Sequence, residues 1–263
     1  MDKKEIKLAN RKALPKFILV LVICMAVGWA VGYLSGRFRL DRLTDGIRSA
    51  GAFFGTYLAP WMIVALAVVL PAVCVPLCRG AKKLLGSWDG EAEDLSDAIE
   101  RKISAAIWIS SVSLVVSYFL IAASYSGGVA IFDSRERTIV FSVGIAAFFA
   151  VMVETILIQQ KCVDTAKQTN PEKKASIYDM KFQKKWMEDC DEAEKIMIGK
   201  CAYKAYSATN TVCAALAIVL AVCALIFGIG FLPSLAVCLI WIVNLSAYCK
   251  EAMRYSKAGN SIS

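Results

Sequence analysis

The sequence contains no histidine. That absence removes imidazole general-base catalysis, imidazole metal ligation and zinc sites of the HExxH type. It also removes the side chain that ordinarily senses pH between about 5 and 8. No P-loop, dinucleotide glycine fingerprint, nucleophile elbow or metal-ligand cluster is present. Charge is missing locally as well: Ser207 to Tyr248 carries no Asp, Glu, Lys or Arg over 42 positions. These gaps predict no catalytic residues, no metal, no cofactor and no enzyme. No nucleic-acid partner is expected.

What the chain has in excess is apolar residues. They make up 58% of 263 residues, and the mean hydropathy is +0.56. Both exceed the usual values for a soluble domain. The apolar residues come in long blocks on the scale of a bilayer-spanning helix, about 20 residues. Spans are predicted at about 17–36, 52–78, 103–124 and 138–160. The uncharged stretch from Ser207 would be about 63 Å long as one helix, roughly twice the hydrocarbon thickness. It must fold back, and Gly228, Gly230 and Pro233 mark the turn, giving spans at 207–228 and 231–248. The fold class expected is all-α: a polytopic membrane helical bundle of six transmembrane helices with helical cytoplasmic extensions. It forms a single integral membrane domain over residues 1–263.

Lys and Arg crowd every second connection. The N-terminal segment, residues 79–102, residues 161–206 and the C-terminal tail hold twenty-four, and the three other connections hold six. The positive-inside rule then places both termini in the cytoplasm. Arg37, Arg39, Arg42 and Arg48 are discordant, with Asp41 and Asp45 offsetting them in part. The first span is too long for a signal peptide, and no small-residue cleavage site follows it, so a retained helix is expected. The tail carries no prenylation or retention signal.

Ten cysteines suggest a disulfide set until they are placed. Cys24, Cys74, Cys78, Cys213, Cys223 and Cys238 fall in spans. Cys162, Cys190, Cys201 and Cys249 fall on the cytoplasmic side. A reducing compartment and lipid burial predict free thiols. Cys74 and Cys78 share a helix face but lack the two further ligands a metal needs.

The two cytoplasmic loops, 79–102 and 161–206, carry most of the remaining information. In the first, Arg79, Lys82 and Lys83 read as lipid-facing anchors and Gly86–Gly90 as a turn. Glu91–Lys102 reads as a helix, acidic first and basic last, running into span three. In the second, span four continues until Asn170-Pro171 breaks it. A further helix starts after Lys174, with Phe182, Trp186, Cys190, Ala193, Met197 and Cys201 on one face. It is expected to extend unbroken into span five, with Tyr203 and Tyr206 at the interface. That face packs on the other cytoplasmic helix, docks a cytosolic partner, or lies on headgroups; the acids from Glu188 to Glu194 disfavour the last. Trp88, Phe182, Trp186 and Met197 form the candidate partner-binding face. Trp88 before Glu91-Ala92-Glu93 echoes Trp186 before Glu192-Ala193-Glu194, which suggests a duplicated hairpin.

Inside the membrane, Glu154 is the only acid within a predicted span. Intramembrane carboxylates are costly and mark functional candidates. Glu154 either serves a function, reaches interfacial water, or pairs with Lys204. With Asn210 and Asn244 it makes up the candidate intramembrane polar site. Ser104, Ser110, Ser111, Ser113 and Ser117 in span three read as close-packing residues. Pro60, Pro71 and Pro76 should bend span two or break it locally. Gly28 and Gly32 form a small-residue contact face in span one.

Lys181-Phe182-Gln183-Lys184-Lys185-Trp186, then Asp191-Glu192-Ala193-Glu194-Lys195, then Tyr203-Lys204-Ala205-Tyr206, have the look of a family pattern. Asn170-Pro171-Glu172-Lys173 and the acidic stretch Asp89–Glu100 fit it too. Nearly the whole chain resembles an uncharacterised family of bacterial membrane proteins, domain of unknown function 3169, found mainly in Gram-positive bacteria. The resemblance implies a six-span bacterial plasma-membrane protein and carries over no catalytic residues. The expected partners are the lipid bilayer, a cytosolic protein, or a second copy of the chain as a homo-oligomer. Three functions follow. The first is a non-enzymatic membrane protein whose cytoplasmic helices bind a cytosolic partner. The second is a transport component, such as an ABC-type permease or an antimicrobial-peptide immunity or export subunit. The third, an intramembrane enzyme, is the least supported.

Overall fold

The computed structural model describes residues 41–257 apart from Glu91, Pro171, Lys174 and Gly228, together with scattered positions between Pro15 and Tyr33. Every element among them is helical. α1 (Asp41–Phe53) passes through a π-helical turn (Phe54–Leu58) into α2 (Ala59–Gly86). Then come α3 (Glu93–Ser124), a 3-10 segment (Tyr125–Asp133), α4 (Arg135–Thr169), α5 (Phe182–Glu188), α6 (Glu192–Phe227) and α7 (Leu232–Lys257). Among the described residues, five helices are long and apolar enough to cross a bilayer. They overlap predicted spans two to six. The first predicted span, with Cys24, Gly28 and Gly32, lies largely outside the described residues.

Local chemistry explains where these helices bend and stop. Pro60 has no N–H to give to the carbonyl four residues back, and its ring crowds that carbonyl. Just before it the ladder widens: the Ala59 N–H bonds to the Phe54 carbonyl, five residues back. Pro71 and Pro76 lie inside α2, which stays α-helical through both. The local departure from α geometry is therefore at Pro60 and not at the two later prolines. α4 ends at Thr169, because a residue before proline avoids the helical region; Asn170 has φ −129° and ψ 85°. α3 starts at Glu93 and runs unbroken to Ser124, as the predicted merger of loop helix and span requires. Between α6 and α7, Gly230 takes φ +76°, a left-handed value that favours glycine, and Pro233 stands in the first turn of α7.

The chain divides into two compact units, residues 46–196 and residues 1–45 with 197–263. In the first, α2, α3 and α4 pack together. Pro60 lies against Gly144, and the Cys78 and Cys162 sulfurs are 3.5 Å apart. Both pairs are offset by 84 positions, so α2 and α4 run parallel and in register. α3 runs against them: Gly55 meets Ala123, Cys74 faces the Ala106 carbonyl, and Gly80 lies beside Lys102.

Lipid tails are as apolar as leucine, so packing must come from close contact rather than from the hydrophobic effect. The seam is accordingly built of small residues. Ala59, Ala81, Ala106, Ser110, Ser117 and Ser124 are all buried. The three serines are seven apart, which places them on one face of α3. Each donates to its own helix, to the carbonyls of Ile107, Leu114 and Leu120, at 2.7–3.0 Å. They therefore enter the core with their hydroxyls satisfied, and the backbones approach closely.

In the second unit, α6 and α7 form an antiparallel hairpin. Tyr206 stacks on Tyr248 with ring centroids 4.5 Å apart. One turn further in, the Asn210 Oδ1 accepts from both Trp241 Nε1 and Asn244 Nδ2, each at 3.1 Å.

Candidate functional site

The most elaborated polar structure lies at the Lys/Arg-rich end of the first unit. Past Thr169 the chain turns back along α4. The Gln160 Oε1 accepts from the Ile177 N–H at 3.1 Å and from the Ser176 hydroxyl at 3.3 Å. Ala175, just before, is buried. Gln160 is the last residue of predicted span four, so the returning loop is pinned at the margin of the apolar stretch. The Asp179 carboxylate then accepts from the Lys181 N–H at 2.9 Å and pairs with Lys185. The Lys185 ammonium holds the Asp179 carboxyl below the usual carboxylate range, and Asp179 in turn raises the Lys185 ammonium.

α5 is short. Phe182 and Trp186 lie against each other along it, rings tilted by 40° and centroids 5.5 Å apart. The Lys173 ammonium lies 4.7 Å from the centroid of the Trp186 ring and pairs with Glu194. Only 10% of the Lys173 side chain is exposed, so the contact is sheltered enough for cation–π attraction to count. Cys190 is buried beneath, its thiol donating to the Trp186 carbonyl at 3.1 Å. Burial pushes that thiol up, so it stays protonated.

The predicted single helix from Phe182 to Cys201 does not form. α5 ends at Glu188, and α6 begins at Glu192. The break is a capping box. The Glu194 N–H donates to the Asp191 side chain at 2.7 Å, and the Asp191 N–H to the Glu194 carboxylate at 3.4 Å. Two orphan donors at the start of α6 are thereby satisfied, and stopping the preceding helix is the cost. Ala193, Met197 and Cys201 are consequently exposed instead of continuing the buried face of Trp186 and Cys190.

The predicted partner-binding residues stand on different elements. Trp88 packs against the core of Leu70, Cys74 and Ile99, and its Nε1 donates to the Ala92 carbonyl at 3.1 Å. Phe182 and Trp186 are half-buried against each other, and Met197 is exposed on α6. The two loops that echo each other in sequence each place an Asp side chain on a backbone N–H three residues later. In the first, the Ala92 N–H donates to the Asp89 side chain at 3.0 Å just before α3, although α3 itself has no side-chain cap, whereas Asp191 caps α6 in the second. Sequence reasoning missed Gln160, Lys173, Tyr178 and Met180. The Asp191-x-x-Glu194 signature was the one local signal available.

The three residues predicted as an intramembrane polar site fall in both units. Asn210 and Asn244 clasp the α6–α7 hairpin with Trp241. Glu154 lies in the other unit, at the register of Leu70 on α2, and makes no ion pair among the described residues. Its Oε2 and the neighbouring Thr155 Oγ1 are buried with no hydrogen-bond partner among the described residues. Nearby, the Gln159 amide reaches across to the Ser110 and Ser111 hydroxyls at 3.4 and 3.1 Å. Cys74, Cys78, Cys162 and the other described cysteines are free thiols.

Helices of this length and hydropathy, packed on small residues with polar structure at one end, define an all-α polytopic membrane protein. The chain matches the family described as Protein of unknown function (DUF3169) over residues 11–252, and it belongs to that family. No curated protein matches the chain, and no solved structure does.

Proposed function

We propose that this chain is a non-enzymatic, multi-pass protein of the bacterial plasma membrane, with both termini cytoplasmic, whose cytoplasmic loop docks a cytosolic protein. The observation that carries the reading is a loop held at both edges that still displays large apolar side chains. Gln160 pins its start and the Asp179–Lys185 pair its end. Between them Tyr178 is 65% exposed, and Met180 is fully exposed. Ordering a loop costs about 1–2 kcal/mol per residue. Spending that on presenting Tyr178 and Met180 to solvent gains nothing unless a partner covers them. Tyr and Met are enriched at interface cores for this reason. Lys181, Lys184 and Lys185 flank the tip, which favours a partner with an acidic rim around an apolar groove.

The test is photo-crosslinking from positions 178 and 180 in native membranes. A signalling or DNA-binding protein captured at these positions, and lost with Tyr178→Ala and Met180→Ser, supports the reading. Capture of an ATPase points to a transport component, and recovery of the chain alone points to a homo-oligomer. A transport role has one observation in its favour: the two adjacent unpartnered polar atoms of Glu154 and Thr155 within span four. Buried unsatisfied groups cost about 1–3 kcal/mol each and persist where a function uses them. Unchanged activity and abundance in Glu154→Gln would count against it.

A further inference from the structure

The basic end of the α2–α4 pair carries a groove that the docking loop does not use. It has a volume of about 320 Å³ and lies between the last turns of α2 and the matching turns of α4. The parallel register orders its lining along the helices. Val75 and Ile158 form the wall nearest the apolar stretch. Arg79 and Lys161 come next, and Lys82 stands about 10 Å beyond Val75 along α2. One groove thus grades from hydrocarbon to cation over about the length of a lipid glycerol and phosphate.

Three cations face a single carboxylate in this groove. None of Arg79, Lys82 and Lys161 forms an ion pair among the described residues. The acid in the lining, Asp164, accepts from the Gln160 amide at 2.7 Å. The Thr165 hydroxyl is also committed, donating to the Lys161 carbonyl at 2.8 Å. Even with Asp164 in the lining, the cations outnumber the acid, and the excess positive charge around a half-apolar groove is relieved by a bound anion. Lipid-facing anchors reaching for bulk headgroups would need no groove between two helices.

We propose that this groove binds the phosphate of an anionic phospholipid, with the glycerol and upper acyl chain lying along Val75 and Ile158. The Arg79 guanidinium presents a planar fork that matches two phosphate oxygens, and Lys82 and Lys161 supply point charges beside it. Free phosphate satisfies the cations equally but leaves the Val75–Ile158 wall wet. Basic pockets between membrane helices recognise anionic headgroups by this combination.

Cys78 lines the same groove and serves as its reporter. The full chain in neutral detergent is titrated with phosphatidylglycerol, phosphatidylcholine or inorganic phosphate. It is then alkylated with N-ethylmaleimide and labelling is read at each cysteine by mass spectrometry. Phosphatidylglycerol should protect Cys78 at concentrations where phosphatidylcholine and phosphate do not, and leave the exposed Cys201 unprotected. Arg79→Gln/Lys82→Gln/Lys161→Gln should weaken protection by about fivefold per cation removed, roughly a hundredfold in all. Lys83→Gln/Lys195→Gln/Lys200→Gln removes the same charge elsewhere and should leave protection intact. Equal protection by phosphatidylcholine, by phosphate, or in both triple variants overturns the proposal. So does a Cys78 that reacts with no reagent even without lipid, since the groove would then be closed. If the groove variant fails to fold, the three titrations of the native chain still decide.

Discussion

Replacing Gly55 with alanine tests the close packing of the first unit where it leaves least room. A Cβ built on Gly55 would lie 3.0 Å from the Ala123 carbonyl carbon, and closer still to its oxygen and to the Ser126 hydroxyl. Ordinary carbon contacts lie at about 3.5–4.0 Å. The end of α3 must therefore retreat by an appreciable fraction of an ångström, and a backbone carbonyl is not a flexible end that can swing away. Overpacking costs about 1–3 kcal/mol, and the backbone clash puts Gly55→Ala at the upper end. Gly51, four residues earlier on the same continuous helix, has nothing within 4 Å of its built Cβ. Gly51→Ala should gain about 0.5–1 kcal/mol from helix propensity alone. The two variants should thus differ by about 3.5–4 kcal/mol, several hundredfold in the folded-to-unfolded ratio. Reversible unfolding in mixed detergent–SDS micelles measures that difference directly. Equal stability of Gly55→Ala and Gly51→Ala would refute the α2–α3 register on which the packing rests.

Other perturbations bear on single side chains. Thr155→Val replaces a buried hydroxyl that has no hydrogen-bond partner among the described residues with a methyl of the same shape, and should be neutral or stabilising by about 1 kcal/mol. A loss of more than that in the same SDS titration would reveal a partner for the hydroxyl. Asp191→Ala removes the cap of α6 and should cost about 1 kcal/mol locally, seen as faster amide exchange at Glu194, whose N–H it binds. Unchanged exchange there would show that the break between α5 and α6 has another cause. The Asp179–Lys185 clamp should release in acid. A depressed carboxyl contributes stability above its unfolded value, near 4, and loses it as pH falls through the lower folded value. A raised ammonium contributes below its unfolded value, near 10.4, and loses it as pH rises through the folded one. The clamp therefore holds between those limits. Lys181 amide exchange, corrected for its intrinsic pH dependence, should accelerate below about pH 4. Protection lost already well above pH 4, or protection unchanged in Asp179→Asn, would count against the clamp.

The spans were legible because a bilayer imposes a length and an apolar composition that can be read one residue at a time. The same holds for the stop of α4 before Pro171, the merger of loop helix and span in α3, and the turn at Gly230. Each rests on a contiguous pattern and needs no distant partner. The capping box at Asp191 and Glu194 was equally local, yet the apolar periodicity from Phe182 to Cys201 overrode it. In the folded chain two satisfied backbone donors outweigh a continuous apolar face.

Sequence alone determined that this chain has helices long and apolar enough to cross a membrane, where five of them lie among the described residues, and which connections carry the positive charge. Those properties depend on each residue's transfer free energy and summed charge, which do not change with what stands next to them in space. Only the tertiary structure decided that Trp88 belongs to the core, that Lys173 holds Trp186 and Glu194, and that Gln160 pins a loop seventeen residues later. It also set the register of α2 and α4. That register brings Arg79, Lys82 and Lys161 around one groove, and it follows from small-residue packing where Gly144 of α4 meets Pro60 of α2. No one-dimensional pattern encodes an offset of 84 positions between two helices, because it is chosen by which pairs of surfaces fit.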